Sequence, residues 1–321
     1  MLTRPSMYFE GPEKKVEIGL TAEGPSLLEL DPQFWRDRVK ESGAVILSEL
    51  GGVAQGVKAY LLSESSLFVY ARRIVMITCG RTTLVTAAEA MLDAWKDEVE
   101  YLVYERKNEH FPELQPTTFT DDAQRLAARL PAEAWRFGSP DGHRIQMLAT
   151  EAPIETPASE RTLEVLMHGI HPEAAKMFGK DRAEADPART AALRGLFEGF
   201  EVDEFFFEPT GYSVNALKDG SYLTIHVTPE DIASYVSFET NLEIGDDPSA
   251  WVARVQRVFE PRGLDVMTFS PAPLAPFGLP DHQMVGWTEK KLACGFHVQF
   301  RHFERALSGP GEPFPLTLDL A

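Results

Sequence analysis

Tyr60-Leu61-Leu62-Ser63-Glu64-Ser65-Ser66-Leu67-Phe68-Val69-Tyr70 places two apolar, strand-like runs on either side of a Glu-Ser-Ser turn. Apolar runs flanking a short polar segment predict a β-hairpin, and turn chemistry alone accounts for serine and glutamate there. The same residues allow a second reading. A serine hydroxyl held in such a turn can attack the carbonyl carbon before it, converting the Glu64–Ser65 amide into an ester. Elimination across the Cα–Cβ bond of Ser65 then breaks the chain and leaves a pyruvoyl group at the new N-terminus. A ketone of this kind accepts electrons from a carbanion through a Schiff base, as pyridoxal does. The rest of the chain decides between the two readings.

The chain has 321 residues, enough for one large domain or two ordinary ones. Apolar residues make up 44% and charged residues 25%, the balance of a soluble globular protein. No apolar run is long enough to cross a bilayer, and the N-terminal residues lack a signal-peptide core. Cys79 and Cys294 are too few for a disulfide framework, which points to a reducing cytoplasm. A formal net charge of −18 repels phosphate backbones and anionic lipid, so nucleic-acid and membrane roles are not expected. A cationic substrate is favoured instead.

Helical spacing predicts a helix from Pro32 to Glu41, followed by a strand ending near Leu50 and a turn at Gly51-Gly52 and Gly56. Strands are expected at 58–63, 67–71 and 73–79, and helices at Thr83–Trp95, Asp121–Leu130 and Thr162–His168. Pro153 to Pro157 reads as a loop, 180–190 as an exposed segment, and the proline-rich tail from Pro310 as loosely attached. Strand signals return at Phe205–Phe207, Tyr222–Val227 and Tyr235–Glu239, and a helix fits Ser249–Phe259. Strand, polar turn, strand and helix recur in both halves, from Tyr60 and again from Tyr222, which suggests duplication. The expected fold is α+β: a four-layer α/β/β/α sandwich of two mainly antiparallel sheets with helices outside.

A second cluster lends weight to the hairpin. It comprises Phe207-Glu208-Pro209-Thr210-Gly211-Tyr212-Ser213-Val214-Asn215, Ile225-His226-Val227-Thr228-Pro229-Glu230 and Ser237-Phe238-Glu239-Thr240-Asn241. With Phe9-Glu10-Gly11-Pro12-Glu13-Lys14 and Thr78-Cys79-Gly80, it closely resembles the eukaryotic-type S-adenosylmethionine decarboxylase proenzymes. The matches run in order from about residue 8 to 241 and fade beyond about 260. The resemblance implies one domain over 1–321, cleaved by itself between Glu64 and Ser65 into 1–64 and 65–321. It implies a pyruvoyl group made from Ser65, no external cofactor, no metal, and S-adenosylmethionine as substrate on the route to spermidine and other polyamines. The oligomeric state is left open, a homodimer among the options.

By the same resemblance, His226 acts in processing with Ser213 assisting, and Cys79 donates the proton during turnover. Imidazole titrates in a range that suits a base removing the Cα proton of Ser65, and a thiol is a plausible local acid. Phe9 and Phe207 match the aromatics that sandwich the adenine, and Glu230 the acceptor of the ribose hydroxyls; Glu64 belongs with them at the substrate. Glu10 and Glu13 match acidic residues near the active site, although composition alone reads them as a solvated strand end. Cys294 has no such match and reads as structural.

Some members of this family bind putrescine at a buried acidic site. Glu17, Glu160, Thr162, Glu164 and Glu239 occupy the matching positions, with Glu160 replacing an aspartate. Lys15 stands where putrescine-responsive members carry leucine and plant members arginine, and Ile77 replaces a lysine. An ammonium at Lys15 would neutralise buried carboxylates as a diamine does. Two other readings compete: the same scaffold acting on arginine or ornithine, and a non-catalytic regulatory partner. Retention of Ser65, Cys79, Ser213 and His226 disfavours the second of these.

Overall fold

The computed structural model describes residues 9–154, 160–230 and 233–306. The first half supplies strands β1 (Lys14–Leu20), β2 (Ile46–Gly52), β3 (Val57–Leu62), β4 (Ser65–Tyr70), β5 (Arg73–Thr78), β6 (Val99–Lys107), β7 (Ala132–Gly138) and β8 (Arg144–Thr150). Its helices are α1 (Pro32–Glu41), α2 (Leu84–Trp95) and α3 (Phe119–Ala127). The second half supplies β9 (Thr162–His168), β10 (Glu201–Phe206), β11 (Tyr212–Lys218), β12 (Ser221–Thr228), β13 (Tyr235–Thr240), β14 (Gly263–Ser270), β15 (His282–Lys291) and β16 (His297–Arg305). Helices α4 (Pro172–Ala175), α5 (Pro187–Gly195) and α6 (Ser249–Phe259) complete it.

Each half forms one eight-stranded sheet. The orders are β2-β3-β4-β5-β1-β6-β8-β7 and β10-β11-β12-β13-β9-β14-β16-β15, the same path traced twice. All the pairings within the two sheets are antiparallel. The duplication is therefore in the fold, but one strand out of step with the sequence pattern. By sheet order the partner of the Tyr60 strand β3 is β11, and the Tyr222 strand β12 corresponds to β4.

Side-chain alternation explains the four layers, because successive residues of a strand face opposite sides. On β12, Leu223, Ile225 and Val227 enter the core beneath the helices, with Val252, Val255 and Val258 of α6. On β4, Leu67 and Val69 likewise join Leu84, Ala88 and Met91 of α2. The alternate residues look into the space between the sheets, where Phe68 stacks on Tyr222 with ring centroids 4.1 Å apart. Much of that inner face is polar. Ser66, Ser213, Asn215, Thr224, His226, Ser237 and Glu239 are all buried.

Thr162–His168, expected as a helix, is strand β9, paired with both β13 and β14. Seven residues are too few for the helical period to tell. Here Leu163, Val165 and Met167 join the helix-side core while Leu166 faces the other cluster, which is a period of two. The 180–190 segment runs into α5, capped by the Asp186 side chain accepting from the Ala188 N–H at 3.0 Å. β1, β6–β8, β11 and β14–β16 were not anticipated; burial on both faces blurs the alternation of β1, β6, β11, β14 and β16, whereas β7 and β15 are largely exposed. Most of the Pro153–Pro157 loop and the tail from Pro310 lie outside the described residues.

Candidate active site

β3 ends at Leu62 and β4 begins at Ser65, so the turn is Ser63-Glu64 and both serines belong to the strand, two residues earlier than expected. Ser65 has φ +128°, in the region that side-chain-bearing residues avoid. Backbone held there costs about 1–3 kcal/mol and persists only where its surroundings enforce it. Its hydroxyl is buried with no hydrogen-bond partner among the described residues. The Glu64 carbonyl oxygen, by contrast, accepts twice: from the Cys79 N–H at 2.8 Å and from the Cys79 thiol at 3.3 Å. Two donors on one carbonyl stabilise the negative charge that develops when it is attacked. Burial, with Glu64 and Glu13 nearby, pushes the Cys79 thiol well up, so it stays protonated and able to donate.

Across the gap, His226 is fixed through both ring nitrogens. Nδ1 lies 2.9 Å from Ser213 Oγ, while Nε2 lies 2.9 Å from Thr224 Oγ1 and 3.3 Å from Ser66 Oγ. Ser66 Oγ donates to Asn215 Oδ1 at 2.6 Å, which ties the hairpin of the first sheet to β11 of the second. Burial pushes the His226 pKa down to about 3, so the imidazole is neutral and available as a base. Ser66, Asn215 and Thr224 went unrecognised in the sequence. Their signal was the alternation Ser213-x-Asn215 and Thr224-x-His226, which lines one face of adjacent strands.

Glu10 and Glu13 are buried, not solvated. The Glu10 carboxylate accepts from the His110 and Phe111 N–H groups at 2.7 and 2.9 Å, and Ser237 Oγ donates to Glu13 at 2.7 Å. Burial raises the Glu13 pKa to about 8, so at neutral pH it is mainly a protonated acid. Burial likewise raises the Glu64 side chain to about 7. Phe9 donates its N–H to Glu230 Oε1 at 3.4 Å, joining two of the substrate candidates. Gly80, at φ +65°, leaves room beside them: a Cβ there would stand 2.9 Å from Glu64 Oε2 and 3.1 Å from the Phe9 ring. Phe207 is half-buried just past β10, edge-on to Phe205 at 4.9 Å.

The buried acidic set splits in two. Lys15 Nζ lies 2.7 Å from Glu164 Oε1 and 2.9 Å from Glu239 Oε1, and Tyr222 OH donates to Glu239. Lys107, which the sequence reading missed, is bound to Glu105 at 2.7 Å and to the other oxygen of Glu164. Two ammonium groups therefore clasp Glu164 and hold its carboxyl well below the ordinary range against the effect of burial. The second group is Arg73 with Glu17 and Glu160, where Tyr101 OH donates to Glu17 at 2.6 Å. Thr162 sits two residues before Glu164 on the same face of β9, and Ile77 is the β5 partner of Lys15.

A serine with strained backbone, a carbonyl that accepts twice and a neutral histidine thus lie between the two sheets, an arrangement suited to acyl chemistry on the chain itself. The sequence profile described as adenosylmethionine decarboxylase matches residues 6–292, past the point where the resemblance had faded. Over 276 residues the chain is 34% identical to an S-adenosylmethionine decarboxylase proenzyme of Dictyostelium discoideum, covering 79% of this chain and 72% of that one. With the proenzyme of Xenopus laevis it shares 34% over 275 residues, 79% of this chain and 81% of that one. With that of Leishmania donovani it shares 33% over 281 residues, 81% and 73% of the two chains. The fold matches a crystal structure of the Trypanosoma brucei AdoMetDC-delta26 monomer, with a TM-score of 0.57 at 23% identity, over 75% of this chain and 99% of that one. The chain belongs to the adenosylmethionine decarboxylase family.

Proposed function

We propose that this chain cuts itself at Glu64–Ser65 to make its own pyruvoyl group, and that the site between the sheets then holds S-adenosylmethionine. Membership of the family makes the reaction the decarboxylation of S-adenosylmethionine, which supplies polyamine synthesis. Enzymes of this family are pyruvoyl-dependent. The observation that carries the self-cleavage is the Ser65 hydroxyl, buried and unpartnered, beside a carbonyl that already accepts from two Cys79 donors. Ser65 Oγ bonds to the Glu64 carbonyl carbon, the amide C–N bond breaks, and the freed nitrogen takes a proton. His226 then accepts the Ser65 Cα proton; the Cβ–Oγ bond breaks and residues 1–64 leave with a C-terminal carboxylate. The remaining enamine becomes an imine, and water releases its nitrogen as ammonia to give the ketone.

The ketone supplies an electron sink for the carbanion left by carbon dioxide. The chain's own residues do the rest. Phe9 and Phe207 offer flat apolar faces for an adenine and its neighbouring sulfonium, and Glu230 offers an acceptor for the ribose hydroxyls. Protonated Cys79 can deliver a proton to the substrate carbon, and buried Glu10 and Glu13 give the pocket polar walls held by the His110 and Phe111 N–H groups and by Ser237. Ser213 orients the His226 ring through Nδ1. Incubation with carboxyl-labelled S-adenosylmethionine, arginine and ornithine in parallel is expected to release labelled gas from the first alone. Release only from the two amino acids would overturn this assignment.

Lys15 and Lys107 fill the acidic site from within, which supports a processing and turnover that need no diamine. Glu17, Glu160, Glu164 and Glu239 are then structural partners of the built-in cations Arg73, Lys15 and Lys107, with Thr162 beside Glu164 on β9, rather than a putrescine receptor. Added putrescine is expected to leave the rate unchanged; a several-fold rise would contradict the assignment.

A further inference from the structure

Three of the chain's histidines meet at one carboxylate that the processing chemistry does not use. Asp265 and His302 are directly paired residues of β14 and β16, and His302 Nδ1 lies 2.7 Å from Asp265 Oδ1. His143 reaches in from the β7–β8 connection of the other sheet, with Nδ1 3.2 Å from Asp265 Oδ2. His168, at the end of β9, places Nε2 3.0 Å from that same oxygen. His110, whose Nδ1 lies 3.5 Å from Glu10 Oε1, separates this cluster from the candidate active site, its ring 6.4 Å from His168. Asp265 and His302 are buried, and His143 is half-buried.

We propose that His143, His302 and Asp265 bind a divalent transition-metal ion, Zn2+ by preference, which clips the two sheets together. One donor atom from each of the three lies within 4.8 Å of the others. Because the two rings lie nearly parallel, the half-buried His143 ring must turn out of the stack for both nitrogen lone pairs to converge at the distances of about 2.0–2.2 Å that zinc makes with imidazole nitrogen and carboxylate oxygen. The ligand chemistry fits as well: two imidazoles and a carboxylate suit zinc and its neighbours, whereas calcium and magnesium prefer all-oxygen sets. The outer contacts are those of a metal site. His302 turns its other nitrogen to Glu304 Oε1 at 3.4 Å, and His168 Nε2 contacts the same Asp265 oxygen that faces His143. A carboxylate on the far nitrogen of a ligating histidine fixes the ring and raises its basicity.

The same contacts fit two neutral imidazoles donating to one carboxylate, and a metal ion would take the place of those two protons. The His143 and His302 rings are stacked 4.2 Å apart, 16° from parallel, with both Nδ1 atoms aimed at one carboxylate. A metal ion takes both as neutral ligands and leaves the carboxylate paired. No motif marked the site in the sequence, because residues 143, 168, 265 and 302 come from four separate segments and two sheets.

The test is to strip the purified chain with a chelator, dialyse it against zinc chloride and measure bound metal. One zinc per chain is expected, together with a rise in Tm, since an ion that binds only the folded state stabilises it. His302→Ala should weaken binding by at least about tenfold, as losses around metal sites do. His143→Ala, in a half-exposed connection, is a second variant that does not depend on a buried position. Cobalt in place of zinc should give visible absorption that both variants lose. No retained zinc in the unaltered chain, or undiminished zinc in both variants, would overturn the proposal.

Discussion

A Ser65→Ala chain is expected to remain a single polypeptide and to have no decarboxylase activity. Alanine lacks the oxygen that attacks Glu64, so neither the ester nor the ketone can form. The loss should be complete on a denaturing gel and at least about 10⁴-fold in turnover, because removing the electron sink removes the route itself and not one stabilising contact. The fold should survive. Ser65 Oγ makes no hydrogen bond among the described residues, and the substitution deletes one buried polar atom from a tight strand end. The left-handed backbone at φ +128° stays strained with alanine, so no large gain in stability is expected. Cleavage of Ser65→Ala at the same bond and the same rate would contradict the assignment.

Glu164→Gln is expected to destabilise the protein by about 3–5 kcal/mol, the usual consequence of removing one partner from a buried ion pair. Both oxygens of Glu164 are engaged, Oε1 by Lys15 at 2.7 Å and Oε2 by Lys107. Glutamine keeps the shape but leaves two buried ammonium groups to share Glu105 and Glu239. The measurement is urea unfolding in the Ser65→Ala background, where one covalent chain keeps the transition unimolecular. The pH dependence has a definite sign. The folded Glu164 carboxyl titrates below its ordinary value of 4.5, so its contribution is fully present above that value and is lost as the pH falls through the folded one. The gap between the two chains should therefore close on acidification below 4.5. A difference under about 1 kcal/mol at neutral pH would place the salt bridges among those that contribute little.

The chemistry was more legible in the sequence than the architecture. The Glu64-Ser65 hairpin, Cys79, Ser213 and His226 stood out because the short motifs that carry them match the family in order, and the structure brings them to one space between the sheets. Helices α1 and α6 were legible to the residue, since each has a proline near its start and one apolar face. β9 was not, because seven residues buried on both faces carry no clear period. Glu10 and Glu13 looked solvated because charge suggests surface; their buried partners, the His110 and Phe111 N–H groups and Ser237, lie about a hundred residues or more away. Lys107 was missed for the same reason: its significance lies in Glu164, 57 residues on, and strand β6 had not been anticipated.

Intact-mass measurement of the purified, fully matured chain, before and after treatment with a hydrazide, bears most directly on the self-cleavage. Two species are expected, residues 1–64 and 65–321, with only the larger gaining the hydrazide at its N-terminus. A single full-length species that never reacts with the hydrazide would contradict the account.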